Sequence, residues 1–164
     1  VSVVLGSGTN IKRAPTCGRN FEYFSEDPLV AGRFAAAKVR GMQSVGTAAS
    51  AKHFAANNKE DNRFYSDSRM SERALREIYL RGFEIAVKKA KPWALMTSYN
   101  PVNGVQMSAN WEAQNGILRE EWGYDGVVMT DWRTLANLEE ELYAGGDVKM
   151  PMKISTAVWP PSRQ

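Results

Sequence analysis

Four times along this chain a short apolar run ends on polar or charged residues and gives way to an amphipathic stretch. This rhythm limits the fold more than any other feature. The runs cover residues 1–5, 47–54, 93–98 and 126–130, and 147–150 is a candidate fifth. Short apolar runs bounded by glycine or polar clusters read as strands. The first, VSVVL, is β-branched and reads as a buried strand. Helical patterns lie between the runs. Asp27-Pro28 is a start signal, with Asp as N-cap and Pro at the first helical position. That helix is expected to reach about Arg40, with Leu29, Phe34, Ala37 and Val39 among its apolar positions and Gly41 near its end. Ser71 caps a long second helix, whose Leu75, Ile78, Tyr79, Gly82, Phe83, Ala86 and Ala90 keep helical spacing until Pro92 stops it. Further helices are expected over 112–122 and roughly 135–143, a loop over 57–68 and a turn over 101–104. Strands alternating with helices call for parallel βα units, hence the α/β class. The last stretch, 151–164, holds three prolines without a period and reads as an irregular tail.

Composition removes several functions. One cysteine, Cys17, excludes an internal disulfide, and one histidine, His53, excludes a two-histidine metal motif. A net charge of +3, from scattered basic residues mixed with acids, argues against a nucleic-acid partner. No apolar run approaches the roughly 20 residues of a membrane helix, and VSVVLGSG has no signal-peptide pattern. Gly6-Ser7-Gly8 resembles the opening of a dinucleotide fingerprint, but Ile11 stands where the third glycine belongs, so a phosphate-binding reading is set aside.

Chemistry-bearing residues follow each strand. Lys52 and His53 end the second, Tyr99 and Asn100 follow the third, Asp131 and Trp132 follow the fourth, and the loop after the first carries Arg19. Loops at the C-terminal ends of parallel strands carry the site in such folds. Each residue also has a plainer reading. Asp131 is either a rim carboxylate or the N-cap of the next helix. Lys52-His53 is either a ligand pair or a solvated strand end. Successive strand residues face opposite ways, so the two share a ligand only where the strand bends or stops. Trp132 is either core or an exposed stacking surface, and Met96 either core or site lining.

Five blocks, in order, resemble glycoside hydrolase family 3, the β-glucosidase family: NIKRAPTCGRNFEYFSEDP, KHFAANNKEDNR, SERALREIY, MTSYN and GVVMTDW. The resemblance covers about residues 1–151. It implies a partial (β/α)8 TIM-type barrel over 1–150 and a retaining β-glycoside hydrolase that releases terminal β-D-glucose from a β-linked glucoside or oligosaccharide. In such enzymes one carboxylate attacks the anomeric carbon and a second protonates the leaving oxygen. By the same resemblance Asp131 is the nucleophile, and Arg19, Lys52, His53, Met96, Tyr99 and Trp132 bind the sugar, with Arg63 a weaker match. No metal or cofactor is implied. Cations such as Arg19 and Lys52 are expected to lower the Asp131 pKa.

The chain departs from the family pattern in four ways. The acid/base is not assigned, although Glu22, Glu26 and Glu60 are present. An aspartate that binds glucose hydroxyls precedes the matching region. Arg133 follows Asp131-Trp132 where glycine is commonest. Residues 55–63 lack the histidine of the N-acetylhexosaminidase subgroup. A complete barrel takes roughly 250 residues. The chain is therefore expected to be about half of one, to need further barrel segments and a second domain, and to be poorly stable alone. The competing reading is a non-catalytic sugar-binding or structural piece.

Overall fold

A computed structural model describes residues 1–151; the expected irregular tail lies outside the described residues except for Pro151. Four parallel strands form one sheet: β1 (Val3–Val4), β2 (Ala48–Phe54), β3 (Ala94–Thr97) and β6 (Val127–Met129). A small antiparallel hairpin, β4 (Pro101–Val102) and β5 (Val105–Gln106), stands apart. Order in the sheet follows order in the chain, with Val3 opposite Ala48, Ser50 opposite Ala94 and Ala94 opposite Val127. Each new strand joins the same edge, which is how a barrel is wound. A doubly wound sheet would reverse at a switch point. A parallel bridge from Met129 to Val148 starts the next position, where the candidate fifth strand lay. The fold is thus alternating βα, part of a TIM-type barrel.

The helices form close to where their signals stand. In α1 (Pro28–Gln43) the Asp27 carboxylate accepts from the Leu29 and Val30 amides, and the helix runs through Gly41. Its buried face differs from the expected one. Leu29 and Phe34 are 43% and 58% exposed, while Ala31, Gly32, Ala35, Ala36 and Val39 are buried. The reason is close packing on α2 (Arg81–Ala90): a Cβ on Gly32 would stand 2.9 Å from Ile85 and 3.0 Å from the Gly82 carbonyl. Small residues win where two helices approach this tightly.

The long second helix is not uniform. Ser71 caps Glu72–Ala74, a π-helical turn follows over Leu75–Tyr79, and α2 ends at Lys91 in the left-handed region. A π-helical segment, Glu112–Glu121, connects β5 to β6. The last helix, α3 (Leu138–Tyr143), starts later than expected because Asn137 and Glu140 form a reciprocal capping box. The expected turn at 101–104 is a hairpin, with Asn103 and Gly104 both at positive φ at its tip.

Strand alternation sorts the core into two faces. Phe54, Leu95 and Val128 face the helices, with Leu80, Phe83, Val87, Ile117 and Leu118. Phe54 meets Phe83 and Trp122 edge-on, with centroids 5.4 and 6.1 Å away. Each such buried side chain contributes about 1.5–3 kcal/mol by leaving water. Ala94, Met96 and Met129 form the opposite, inner face with Leu5 and Met150. The first strand is not buried as expected: Val3 and Val4 are 40% and 37% exposed, because β1 has one neighbour only.

Candidate active site

The strand ends converge. Asp131 lies two residues beyond Met129 of β6 and is buried. It caps no helix, since Asn137 does that; its Oδ1 accepts instead from the Trp132 amide at 2.8 Å. Its Oδ2 stands 3.6 Å from His53 Nε2. His53 alternates with Phe54 on β2 and so faces inward, 1% exposed. The pairing of β2 with β3 shifts register between Ala51 and Phe54. This irregularity supplies the bend that lets Lys52 and His53 serve one rim. Neither is a solvated strand end.

Lys52 does not contact Asp131. Its Nζ pairs with Glu22 Oε2 at 3.1 Å, and Glu22 Oε1 takes Arg19 Nε at 2.5 Å. Arg19 also stands 3.8 Å from Glu60, whose other oxygen holds Arg63 at 2.6 Å. The Arg63 guanidinium lies 4.3 Å from the Tyr99 ring centroid, and Phe64 packs on the same ring at 4.6 Å. Two carboxylates therefore hold three cations beside Asp131. Trp132 is 38% exposed, so the stacking-surface reading fits its position. Met96 sits in the inner core cluster, 1% exposed, one residue before the end of β3. Its place is that of a packing residue below the rim.

The electrostatics correct one expectation. Burial pushes the Asp131 carboxyl above its ordinary pKa; the Trp132 amide, the Tyr99 hydroxyl, Arg19 and Arg63 pull against burial without cancelling it. Lys52 is not among those groups, being held by Glu22. Burial, reinforced by Arg19, Lys52 and Arg63, holds His53 well below the usual imidazole value. The ring is neutral at neutral pH, and its approach to Asp131 is a dipole contact rather than an ion pair. Burial and the neighbouring Asp131 push Tyr99 up to about 12, so it stays a phenol. Burial opposes the charge on Arg19, but Tyr23, Glu22 and Glu60 outweigh it and its pKa rises.

Sequence reasoning missed the groups that hold His53. Asn10 grips its backbone twice, Oδ1 accepting from the His53 amide at 2.8 Å and Nδ2 donating to its carbonyl at 2.9 Å. Tyr23 Oη lies 3.2 Å from His53 Nδ1. Asn10 and Tyr23 are more than 29 residues away in sequence, so no local spacing points to them. Concavities also lie away from the rim. One of about 520 Å³ between α1 and α2, lined by Leu29, Arg33 and Arg81 among others, contains none of the rim residues.

The family model for the glycosyl hydrolase family 3 N-terminal domain matches residues 9–153. Beta-glucosidase A of Butyrivibrio fibrisolvens is 56% identical over 146 residues, covering 89% of this chain and 18% of that protein. An exo-α-(1→6)-L-arabinopyranosidase of Bifidobacterium longum is 52% identical, covering 92% of this chain and 20% of that protein. The structure of beta-glucosidase 3B from Thermotoga neapolitana in complex with α-D-glucose superposes with a TM-score of 0.91 at 55% identity, covering 92% of this chain and 21% of that one. The chain thus spans about a fifth of the length of the curated relatives it matches.

Proposed function

The chain belongs to glycosyl hydrolase family 3, through that family's N-terminal domain, and from this premise we propose that it carries the nucleophile of a retaining β-glycosidase. The reaction is release of terminal β-D-glucose through a covalent glycosyl-aspartate at Asp131. One observation carries this reading: a buried carboxylate at a strand end, met by His53 and Tyr99 and flanked by arginines. Attack requires an ionised carboxylate. Arg19, Arg63, the Trp132 amide and the Tyr99 hydroxyl favour that form against the burial that opposes it.

In this reading Arg19, Lys52, His53 and Tyr99 hold sugar hydroxyls, supplying both donors and acceptors. Trp132 offers its exposed ring to the sugar's C–H face, and Met96 supports the floor from below. Residues 1–150 act as the nucleophile-bearing part of a barrel. Glu22 and Glu60 are each paired with two cations. In this reading, as the family resemblance implies, the acid/base lies in a further domain of the enzyme.

The test is trapping of the enzyme that contains this chain with a 2-deoxy-2-fluoro β-D-glucoside, followed by peptide mass mapping. A label on Asp131 is expected, and a label on any other residue overturns the assignment. Since the arabinopyranosidase relative is nearly as similar as the β-glucosidase, the assay compares an aryl β-D-glucoside with an aryl α-L-arabinopyranoside. Faster turnover of the glucoside is expected. No turnover of either by the enzyme would favour a non-catalytic sugar-binding role.

A further inference from the structure

The groups behind His53 form a chain with one self-consistent set of protons. It begins at Glu60, whose carboxylate only accepts. Asn57 Nδ2 lies 3.0 Å from Glu60 Oε1, which fixes the amide with its nitrogen toward Glu60. The same nitrogen donates to Tyr23 Oη at 3.1 Å, so that oxygen is already an acceptor. The single Tyr23 proton then has two acceptors in reach, His53 Nδ1 at 3.2 Å and the Asn57 backbone carbonyl at 3.3 Å.

Asp131 separates these two choices. If the proton goes to the Asn57 carbonyl, Nδ1 must carry hydrogen to face Tyr23, and the Nε2 lone pair then confronts Asp131 Oδ2 at 3.6 Å. That sets two acceptors against each other in a buried place. If the proton goes to Nδ1, Nε2 carries hydrogen and presents it to Asp131. Both ends of the ring are then satisfied. The imidazolium alternative would satisfy them too, but burial and the three nearby cations disfavour it.

We propose that Tyr23, oriented by Asn57 and Glu60, is a positioning residue that donates to His53 Nδ1 and so holds the ring in its Nε2–H form toward Asp131. Geometry decides between the two neutral tautomers, and burial beside three cations disfavours the charged ring. Its value to catalysis rests on the proposed glycosidase reading: a neutral N–H donor at that spot serves a sugar hydroxyl or the carboxylate without adding a charge. Tyr23 touches no substrate in this scheme.

His53 is the one histidine of this chain, and loss of its signals in a His53→Asn variant of the enzyme assigns the ring. Long-range ¹H–¹⁵N correlation on the enzyme that contains this chain, labelled at histidine, reports the tautomer directly. A protonated Nε2 is expected, with an unprotonated Nδ1 shifted in the direction that marks an accepted hydrogen bond. A protonated Nδ1, an imidazolium at neutral pH, or an Nδ1 without that shift overturns the proposal. Tyr23→Phe removes the proton and should bring in a measurable Nδ1–H population; an unchanged tautomer there also overturns it. Should that variant not fold, the Nδ1 shift in the unaltered protein decides the same point. In the catalytically complete enzyme Tyr23→Phe should lower kcat with KM little changed, and Tyr23→Leu should do no less. If trapping labels a residue other than Asp131 while the ring keeps its Nε2–H form, the glycosidase reading fails and the tautomer assignment stands.

Discussion

His53 Nε2 stands 3.6 Å from Asp131 Oδ2, and both groups are buried, yet the pair is not a salt bridge. Burial moves the two pKa values toward the neutral forms, up for Asp131 and down for His53. The proposed nucleophilic role needs the ionised carboxylate, so in that reading the site holds a charge that the fold would rather lose. The opposite signs of the two shifts can be separated experimentally.

Asp131 has the raised pKa, so the native state binds more protons than the unfolded one across that window. Its contribution to stability is full below the unfolded carboxylate value and is lost as pH rises through the folded value. At neutral pH, Asp131→Asn removes the buried charge and keeps the acceptor for the Trp132 amide. We expect a higher melting temperature together with a loss of about four orders of magnitude in kcat. Calorimetry and steady-state kinetics on the same preparation check both; a lower melting temperature would contradict the burial argument.

His53 has the lowered pKa, so the unfolded chain binds more protons and stability climbs with pH. That contribution is complete above the unfolded imidazole value of about 6.5 and falls away below it. Melting temperatures should therefore drop between pH 7.5 and 5.5. His53→Asn should flatten the drop, because His53 is the one histidine of this chain and its pKa is lowered by burial. An equal slope in the variant would assign the effect to other groups.

Two glycines on one helix should respond oppositely. Gly32→Ala puts a Cβ against Ile85 and the Gly82 carbonyl, and is expected to cost about 1–3 kcal/mol as overpacking. Gly41 has nothing within 4 Å, and Gly41→Ala should stabilise by about 0.5–1 kcal/mol. Urea unfolding of both variants checks the sign of each.

Glu22 ties Lys52 to Arg19. Glu22→Gln keeps the shape and removes the charge that sets both cations. Catalytic efficiency is expected to fall by about tenfold to a hundredfold, as for misplaced positioning groups generally. Melting temperature should fall as well, since the Glu22 side chain is only 19% exposed and pairs with both cations. Kinetics that match the unaltered enzyme would show that Lys52 and Arg19 hold their places without it.

The local signals were legible where a residue acts on its own neighbours. Asp27 caps α1, Ser71 caps the turn at Glu72, and the apolar runs at Ala94–Thr97 and Val127–Met129 are strands. Elements failed to match where a distant partner intervened. Phe34 reads as a core position, but Gly82 admits only small residues of α1, which turns Phe34 outward to stack on Phe24. Val3 and Val4 read as buried, but burial depends on neighbours that a run of valines does not specify.

The candidate site divides the same way. The order of βα units and the residue types at strand ends follow from the sequence alone, because periodicity and capping are local properties. What Asp131 meets is decided by the tertiary structure. Lys52 faces Glu22 rather than Asp131, His53 is neutral, and Tyr23, Asn57 and Asn10 converge on one ring. Charge state and hydrogen-bond direction depend on burial and on groups brought together across tens of residues. Neither property belongs to any residue taken singly.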